Sequence, residues 1–303
     1  WVPIKYVAQR HYSGTLLEFK LEKGRRLSTT PDHELVKAAA SNGKTKKVHA
    51  CTLKEGDYVE VCTALPQNNN LSSLDIKNVI FAASQANLEI STRPLDFTET
   101  LVKSNHQSFP RQLPKTRELM RLLGYYAAEG SLHGTFRIRL AFGAHEKDLI
   151  QDAINCIFIT FGLKAFPQTS PSRPDVTNVC FTGRIPYLLL QELIGRGAYN
   201  KNMPSFIFNV ERSLANEFLK AAIAGDGYVD KKGKRSEFYS VSKQLCTSLF
   251  HLALQLGYKY PRLRSKTFKY VRYTNRPSKP DGTIWCLRLN DSAYLKDRKL
   301  HKN

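Results

Sequence analysis

Two apolar runs end in the same way, and that repetition restricts the fold more than any other feature of the chain. Leu122-Leu-Gly-Tyr-Tyr-Ala-Ala-Glu-Gly130 and Phe218-Leu-Lys-Ala-Ala-Ile-Ala-Gly-Asp-Gly227 each close on an acid followed by glycine. Both read as helices whose small residues stand four apart, Gly124 with Ala128 and Ala221 with Gly225, so each has one bare stripe where a second backbone can approach. Glu129 and Asp226 then sit at helix C-termini, each before a glycine suited to the left-handed residue that ends a helix. An acid is electrostatically misplaced there, because that end of a helix carries about half a negative charge. Packing the two stripes together also brings the carboxylates together, and a bound cation resolves the conflict. One apolar helix ending in an Asp-Gly turn is an ordinary cap. Two in the same register, with matching flanks, are not.

The flanks match from Lys115 onward. The first motif is followed by a strand from Thr135 to Phe142, a helix from His145 to Phe161, a corner at Gly162-Leu163, a strand from Val176 to Thr182 and a helix from Ile185 to Ile194. The second is followed by a hairpin from Tyr228 to Ser242, a helix from Lys243 to Leu256, a corner at Gly257-Tyr258, and strands from Arg262 to Tyr273 and Thr283 to Leu289. The order is the same, and the corner glycine trails each acid by nearly the same distance. A duplicated α/β unit has this signature.

Charge narrows the partner. Lys and Arg number 46 against 26 Asp and Glu, a net charge of +20 that calls for a polyanion. The basic residues are patterned: Arg137 and Arg139 share one face of a strand whose other face is apolar, Arg262, Arg264 and Lys266 do the same, and Arg288 stands between Leu287 and Leu289. Lys231, Lys232, Lys234 and Arg235 form a basic turn at a hairpin tip, which taken alone is equally a solvated loop. Basic ribbons of this kind fit the major groove of DNA, where Arg reads guanine edges and Lys or Arg binds phosphate. No apolar run approaches the ~20 residues needed to cross a bilayer, and the opening Trp1-Val-Pro-Ile-Lys-Tyr is not a signal peptide. A membrane partner is therefore not expected and an intracellular location is. Six cysteines without a Cys-x-x-Cys pair argue against structural zinc and read as reduced core residues.

The paired runs resemble the signature helices of LAGLIDADG homing endonucleases. The resemblance implies an α+β fold: a pseudo-twofold, duplicated αββαββα saddle over 115–303, with repeat one at 115–211 and repeat two at 212–303. Glu129 and Asp226 fill the family's last acidic place. By that match they hold two or three Mg2+ ions, with Mn2+ as a substitute, over the scissile phosphates of double-stranded DNA, and both strands are cut by a monomer that needs no protein partner. The first motif departs from the pattern at Tyr125, Tyr126 and Glu129, and the second at Lys220. Asn200-Lys-Asn-Met-Pro-Ser-Phe206 resembles the Lys-Asn-apolar-Pro-Ser block of intein endonucleases. That match makes Lys201 the active-site lysine, able to polarise the attacking water or neutralise developing phosphorane charge. The family often carries a second lysine after its final strand; Lys299 and Lys302 are the candidates here.

Residues 1–63 alternate apolar and polar residues from Leu17 to Leu21 and again at Tyr58-Val-Glu-Val-Cys, with a turn at Lys23-Gly24, and read as a small all-β domain. Thr30-Pro-Asp-His33 and the segment from Val48 to Val59 resemble blocks of the Hint fold shared by inteins and hedgehog autoprocessing domains. Trp1 is not a nucleophile and His301-Lys-Asn303 is not the terminal His-Asn pair, so in that likeness the chain is an intein missing both ends or a remnant, with Thr30 and His33 a splicing-like relic or His33 an unpartnered catalytic group. The alternative for His33 is a histidine at a strand-to-turn junction held by backbone hydrogen bonds. Residues 64–114 are polar and turn-rich, with a helix near Asp75 to Leu88, and read as a linker able to lie on DNA. The expected function is a site-specific, intein-derived DNA endonuclease. Its rivals are a splicing intein with a decayed nuclease, and a non-cleaving DNA-binding regulator or RNA maturase on the same saddle.

Overall fold

The computed structural model describes residues 11–21, 25–39, 44–61, 72–84, 95–104, 107–231, 234–258, 261–268 and 282–290. Lys232, Lys299, Lys302, the Lys23-Gly24 turn and both chain ends lie outside them. The chain divides into two units, Trp1–Cys62 and Thr63–Asn303.

The first unit consists of short strands and one 3-10 turn. Strands β1 (Leu17–Lys20) and β2 (Arg26–Thr29) pair antiparallel, and β3 (Glu34–Ala38) lies between β4 (Thr45–His49) and β5 (Tyr58–Val59). Ala50 is the single buried apolar residue among those described in this unit. Thr30 is half-buried and His33 exposed at the turn leading into β3. The His33 amide donates to the Thr30 carbonyl at 3.2 Å, and its own carbonyl accepts from Ala50 at 2.8 Å. The backbone of His33 thus has the partners of a turn residue.

The second unit begins with β6 (Ser73–Asp75), α1 (Ile76–Ser84), β7 (Asp96–Phe97), β8 (Leu101–Ser104), β9 (Gln107–Pro110) and β10 (Gln112–Pro114). This stretch differs from the linker expected of it. Leu74, Ile76, Ile80, Val102, Phe109 and Leu113 are buried in the same core as the repeats that follow. Among the described residues Ser108 and Gln112 take exposed positions on very short strands, and alternation over three or four residues is too brief to register as periodicity. Asp75 joins the ends of the stretch, accepting two hydrogen bonds from Arg111 at 3.1 Å and 2.9 Å through Oδ2.

The repeats follow. One is α2 (Arg117–Glu129), β11 (Gly130–His133), β12 (Arg137–Gly143), α3 (Lys147–Phe161), β13 (Phe166–Ser170), β14 (Arg173–Thr182) and α4 (Arg184–Leu193). The other is α5 (Arg212–Asp226), β15 (Gly227–Val229), β16 (Arg235–Ser240), α6 (Lys243–Gln255), β17 (Arg262–Phe268) and β18 (Gly282–Asn290). The sheets run β11-β12-β14-β13 and β15-β16-β18-β17, entirely antiparallel and in the same relative order. Alternation sets their faces: Ile138, Leu140 and Phe142 are buried on β12, and Leu287 and Leu289 on β18. Gly162 (φ 64°) and Gly257 (φ 79°) adopt the left-handed conformation at the two corners after α3 and α6. No helix among the described residues is long and apolar enough to cross a membrane. The five described cysteines are free, three of them buried.

Candidate active site at the α2–α5 helix ends

Helices α2 and α5 meet along their small residues. A Cβ on Gly124 would lie 2.5 Å from the Phe218 carbonyl oxygen and 2.7 Å from the Ala221 Cβ; one on Gly225 would lie 2.7 Å from the Ala128 Cβ. Real carbon atoms do not approach so closely, so glycine at both positions is a requirement of the packing. The close approach carries both helix ends to one place: the Glu129 carboxylate lies 3.8 Å from the point where a Gly225 Cβ would be, one residue before Asp226.

The glycines after the acids do not do what the sequence suggests. Gly130 (φ −76°) and Gly227 (φ −136°) are extended rather than left-handed, and each opens a strand directly. Space is the reason for glycine here. A Cβ on Gly130 would stand 2.2 Å from the Tyr126 ring, and one on Gly227 would stand 2.4 Å from the Ile223 carbonyl oxygen and 2.6 Å from that of Glu237. The chain turns from helix to sheet without a linking residue, so the acids are fixed at the junction of both.

Lys201 completes the cluster from the segment between the repeats. It is 6% exposed, donates from Nζ to the Ala128 carbonyl at 2.9 Å, and stands 5.7 Å from the centre of the Tyr126 ring. Its backbone is held as well. Ser242 Oγ donates to the Lys201 carbonyl at 2.5 Å while accepting the Leu245 amide at 3.1 Å, so the residue that caps α6 also anchors the lysine. Burial lowers the Lys201 pKa to about 8, against the pull of Glu129 and Asp226. The Glu129 pKa rises to about 7, first through burial and then through the negative charge of Asp226, with Lys201 opposing. Asp226 is exposed on its outer side, and the protein crowding its inner side raises its pKa, again with Lys201 opposing. Two acids and one ammonium, all shifted toward their neutral forms, mark a site short of solvation and able to gain from a cation.

Among the described residues no group of three or more His, Cys, Asp or Glu side chains is arranged to hold a metal. Glu129 and Asp226 are two carboxylates, a donor chemistry that could hold a hard divalent ion.

The basic residues occupy the sheet faces turned away from the core. Arg137 is exposed and donates to Gln168 at 2.7 Å, while Arg139 is half-buried with an Nε that has no hydrogen-bond partner among the described residues. On the second sheet Arg235, Arg264 and Lys266 are exposed and Arg262 and Arg288 half-buried, while Lys231 and Lys234 are exposed in the connection between β15 and β16. Sequence reasoning misses the acid in that face. Glu237, 5% exposed, accepts from Arg288 Nε at 2.5 Å and from the Tyr239 hydroxyl. Burial works to raise its pKa, but Tyr239 and Arg288 hold it below the usual range. An acid at an outward position of an otherwise basic strand is the signal that could have found it. A second network, also missed, joins three helices: Arg121 binds Glu217 at 2.8 Å, Asp152 at 2.8 Å and the Tyr125 hydroxyl at 2.9 Å.

Several proteins resemble this chain. An uncharacterized protein of Methanocaldococcus jannaschii, MJ1054, is 24% identical over 84% of this chain and 34% of its own length. In Thermococcus kodakarensis, the DNA polymerase II large subunit is 26% identical over 79% of this chain and 15% of its own. The ATP-dependent DNA helicase Hel308 of the same organism is 32% identical over 61% and 16%. The chain thus spans about a third or less of the length of these relatives. Among solved structures, the N-terminal LAGLIDADG domain of DUF199/WhiA aligns with 62% of this chain and 88% of its own at 11% identity and a TM-score of 0.37. The homing endonuclease I-WcaI, solved bound to its DNA recognition sequence, aligns over 62% and 80% at 11% identity and a TM-score of 0.34. Residues 213–284, from the first turn of α5 into β18, match the family model of a LAGLIDADG-like domain.

Proposed function

We propose that the chain is a metal-dependent, site-specific DNA endonuclease of the LAGLIDADG type, with a saddle formed by its two repeats and a Hint-like first unit. The observation that carries this reading is the delivery of Glu129 and Asp226 to one spot by helices packed through Gly124 and Gly225, with the buried Lys201 beside them. A fold that only binds DNA has no need to hold two acids and a lysine in such costly surroundings. Glu129 and Asp226 would hold Mg2+, which when bound supplies charge neutralisation at the scissile phosphate and acidifies a water. Lys201, fixed by Ala128 and Ser242, keeps an ammonium beside the acids, where it could orient that water or oppose charge on the phosphate. The basic faces of the two sheets would grip the duplex on either side.

The relatives support a mobile origin. A module similar to this one lies within a polymerase subunit and within a helicase, and in each it is about a sixth of the length or less. A segment shared by proteins of such different names fits an inserted element better than a part of either activity, which accords with the intein-like reading of Thr30 and His33.

One observation favours a binding-only module on the same scaffold. Lys201 opposes the upward shift of both acids, so part of their charge is offset without a metal. A plasmid library carrying randomised inserts, incubated with Mg2+, separates the two readings. Linear product from the wild type and none from Asp226→Asn supports the nuclease. Tight binding that ignores Mg2+, with no product from either, supports the binding module.

A further inference from the structure

One row of side chains crosses the second sheet differently from its counterpart in the first. Strand register sets Tyr228, Glu237, Arg288 and Arg262 side by side across β15, β16, β18 and β17, on the face opposite Leu287 and Leu289. The corresponding row of the first sheet, aligned on the glycine after each helix, is Ser131, Arg139, Cys180 and Phe166. An acid therefore stands in the second sheet where the first has an arginine.

Glu237 is too well used to read a base itself. Oε1 accepts from Arg288 Nε at 2.5 Å and lies 3.8 Å from Arg235 Nε, and Oε2 accepts from the Tyr239 hydroxyl. Arg288 is in the opposite condition. Its Nε is gripped, its side chain is 27% exposed, and its two terminal nitrogens have no partner among the described residues. Arg262 lies directly across from Arg288 on the next strand, an unfavourable like-charge neighbour that Glu237 offsets from the other side. Arg139 has no such acid across from it in the first sheet: Ser131 and Cys180 are its neighbours, and its Nε is buried without a partner among the described residues.

We propose, on the reading that this face enters the major groove, that Glu237 is a positioning residue for base recognition: it holds Arg288 by Nε so that the free terminal fork is set toward one guanine. A guanidinium whose direction is fixed beforehand loses little rotamer freedom on binding and takes the O6 and N7 acceptors of guanine bidentately. At this row the half-site under the second sheet is read more strictly than the half-site under the first.

The test is selection of duplexes from a randomised library by the full chain in EDTA, with sequencing of the bound fraction, beside a titration of one arbitrary duplex. The wild type should prefer guanine at one position, and Glu237→Gln should weaken that preference about 5- to 150-fold. Affinity for the arbitrary duplex should hold or rise, because a negative charge has left a basic face. Misfolding would lower both quantities together, and a thermal melt identifies it. Arg288→Lys keeps the charge but loses the fork, so it should erase the same preference and decides the matter if Glu237→Gln does not fold. Wild-type preferences retained in both variants overturn this inference alone. A wild type that binds no duplex overturns the DNA reading and this inference with it.

Discussion

Ala128 and Gly225 touch across the α2–α5 interface so closely that a Cβ added to the glycine would lie 2.7 Å from the alanine Cβ and 3.1 Å from Glu129 Cγ. The contact joins the packing of the fold to the placement of an acid. Gly225→Ala and Gly124→Ala should each destabilise the protein by about 1–3 kcal/mol, the cost of overpacking a close helix contact. Gly124→Ala should be the worse of the two, since its neighbour is the Phe218 backbone rather than a side chain. Urea unfolding measures both, and unchanged midpoints would mean that the helices do not approach in this way.

The opposed shifts of Glu129 and Lys201 predict a dip in stability near neutral pH. Glu129 binds its proton more tightly folded, at about 7, than unfolded, at about 4.5, so its contribution falls as pH rises through that window. Lys201 binds its proton less tightly folded, at about 8, than unfolded, at about 10.5, so its contribution rises between those values. The minimum lies between pH 7 and 8, with limbs on the order of 1–3 kcal/mol. Melting curves from pH 4 to 10 should show it, and Glu129→Gln should flatten most of the acid limb, leave the share that Asp226 contributes, and deepen the basic limb, because Lys201 loses an acid that holds its proton. Mg2+ should raise the melting temperature more at pH 8 than at pH 5, because at low pH the proton competes for the same oxygens.

Removing the ammonium should separate chemistry from metal binding. Lys201→Met is expected to slow cleavage at saturating Mg2+ by on the order of 100-fold or more. The Mg2+ concentration for half-maximal binding should fall, since a cation beside Glu129 and Asp226 has gone. Calorimetric titration with Mg2+ alone measures the second effect without turnover. A rise in that concentration would place Lys201 among the groups that organise the acids rather than compete for them.

Binding to DNA should weaken steeply with salt. Each exposed basic residue that meets a phosphate contributes about 0.9 to the slope of log affinity against log salt. Arg137→Ala, Arg264→Ala and Lys266→Ala should each reduce it by up to about one. A flat response in the wild type would deny a broad phosphate footprint.

Arg121 tests the rigidity of the frame. It is 9% exposed and bound to both Glu217 and Asp152. Glu217→Ala leaves a buried guanidinium short of a partner and should cost about 3–5 kcal/mol in thermal or urea unfolding. A loss below 1 kcal/mol would mean that water replaces the carboxylate.

Some of this protein is written in short-range pattern. Small residues four apart mark the faces of α2 and α5, alternation sets Arg137 and Arg139 opposite Ile138 and Leu140, and the two corner glycines must be left-handed wherever their helices pack. Such features repeat every two to four residues, so they are visible without knowing what lies opposite. The rest depends on neighbours far along the chain. Whether Gly130 and Gly227 serve conformation or space is settled by the Tyr126 ring and the Glu237 carbonyl. Short strands between residues 73 and 114 gain their place from the core they meet, and Arg288 gains its partner from a strand 51 residues away. Burial, desolvation and side-chain pairing are properties of the space between segments. They arise only when the chain has closed on itself.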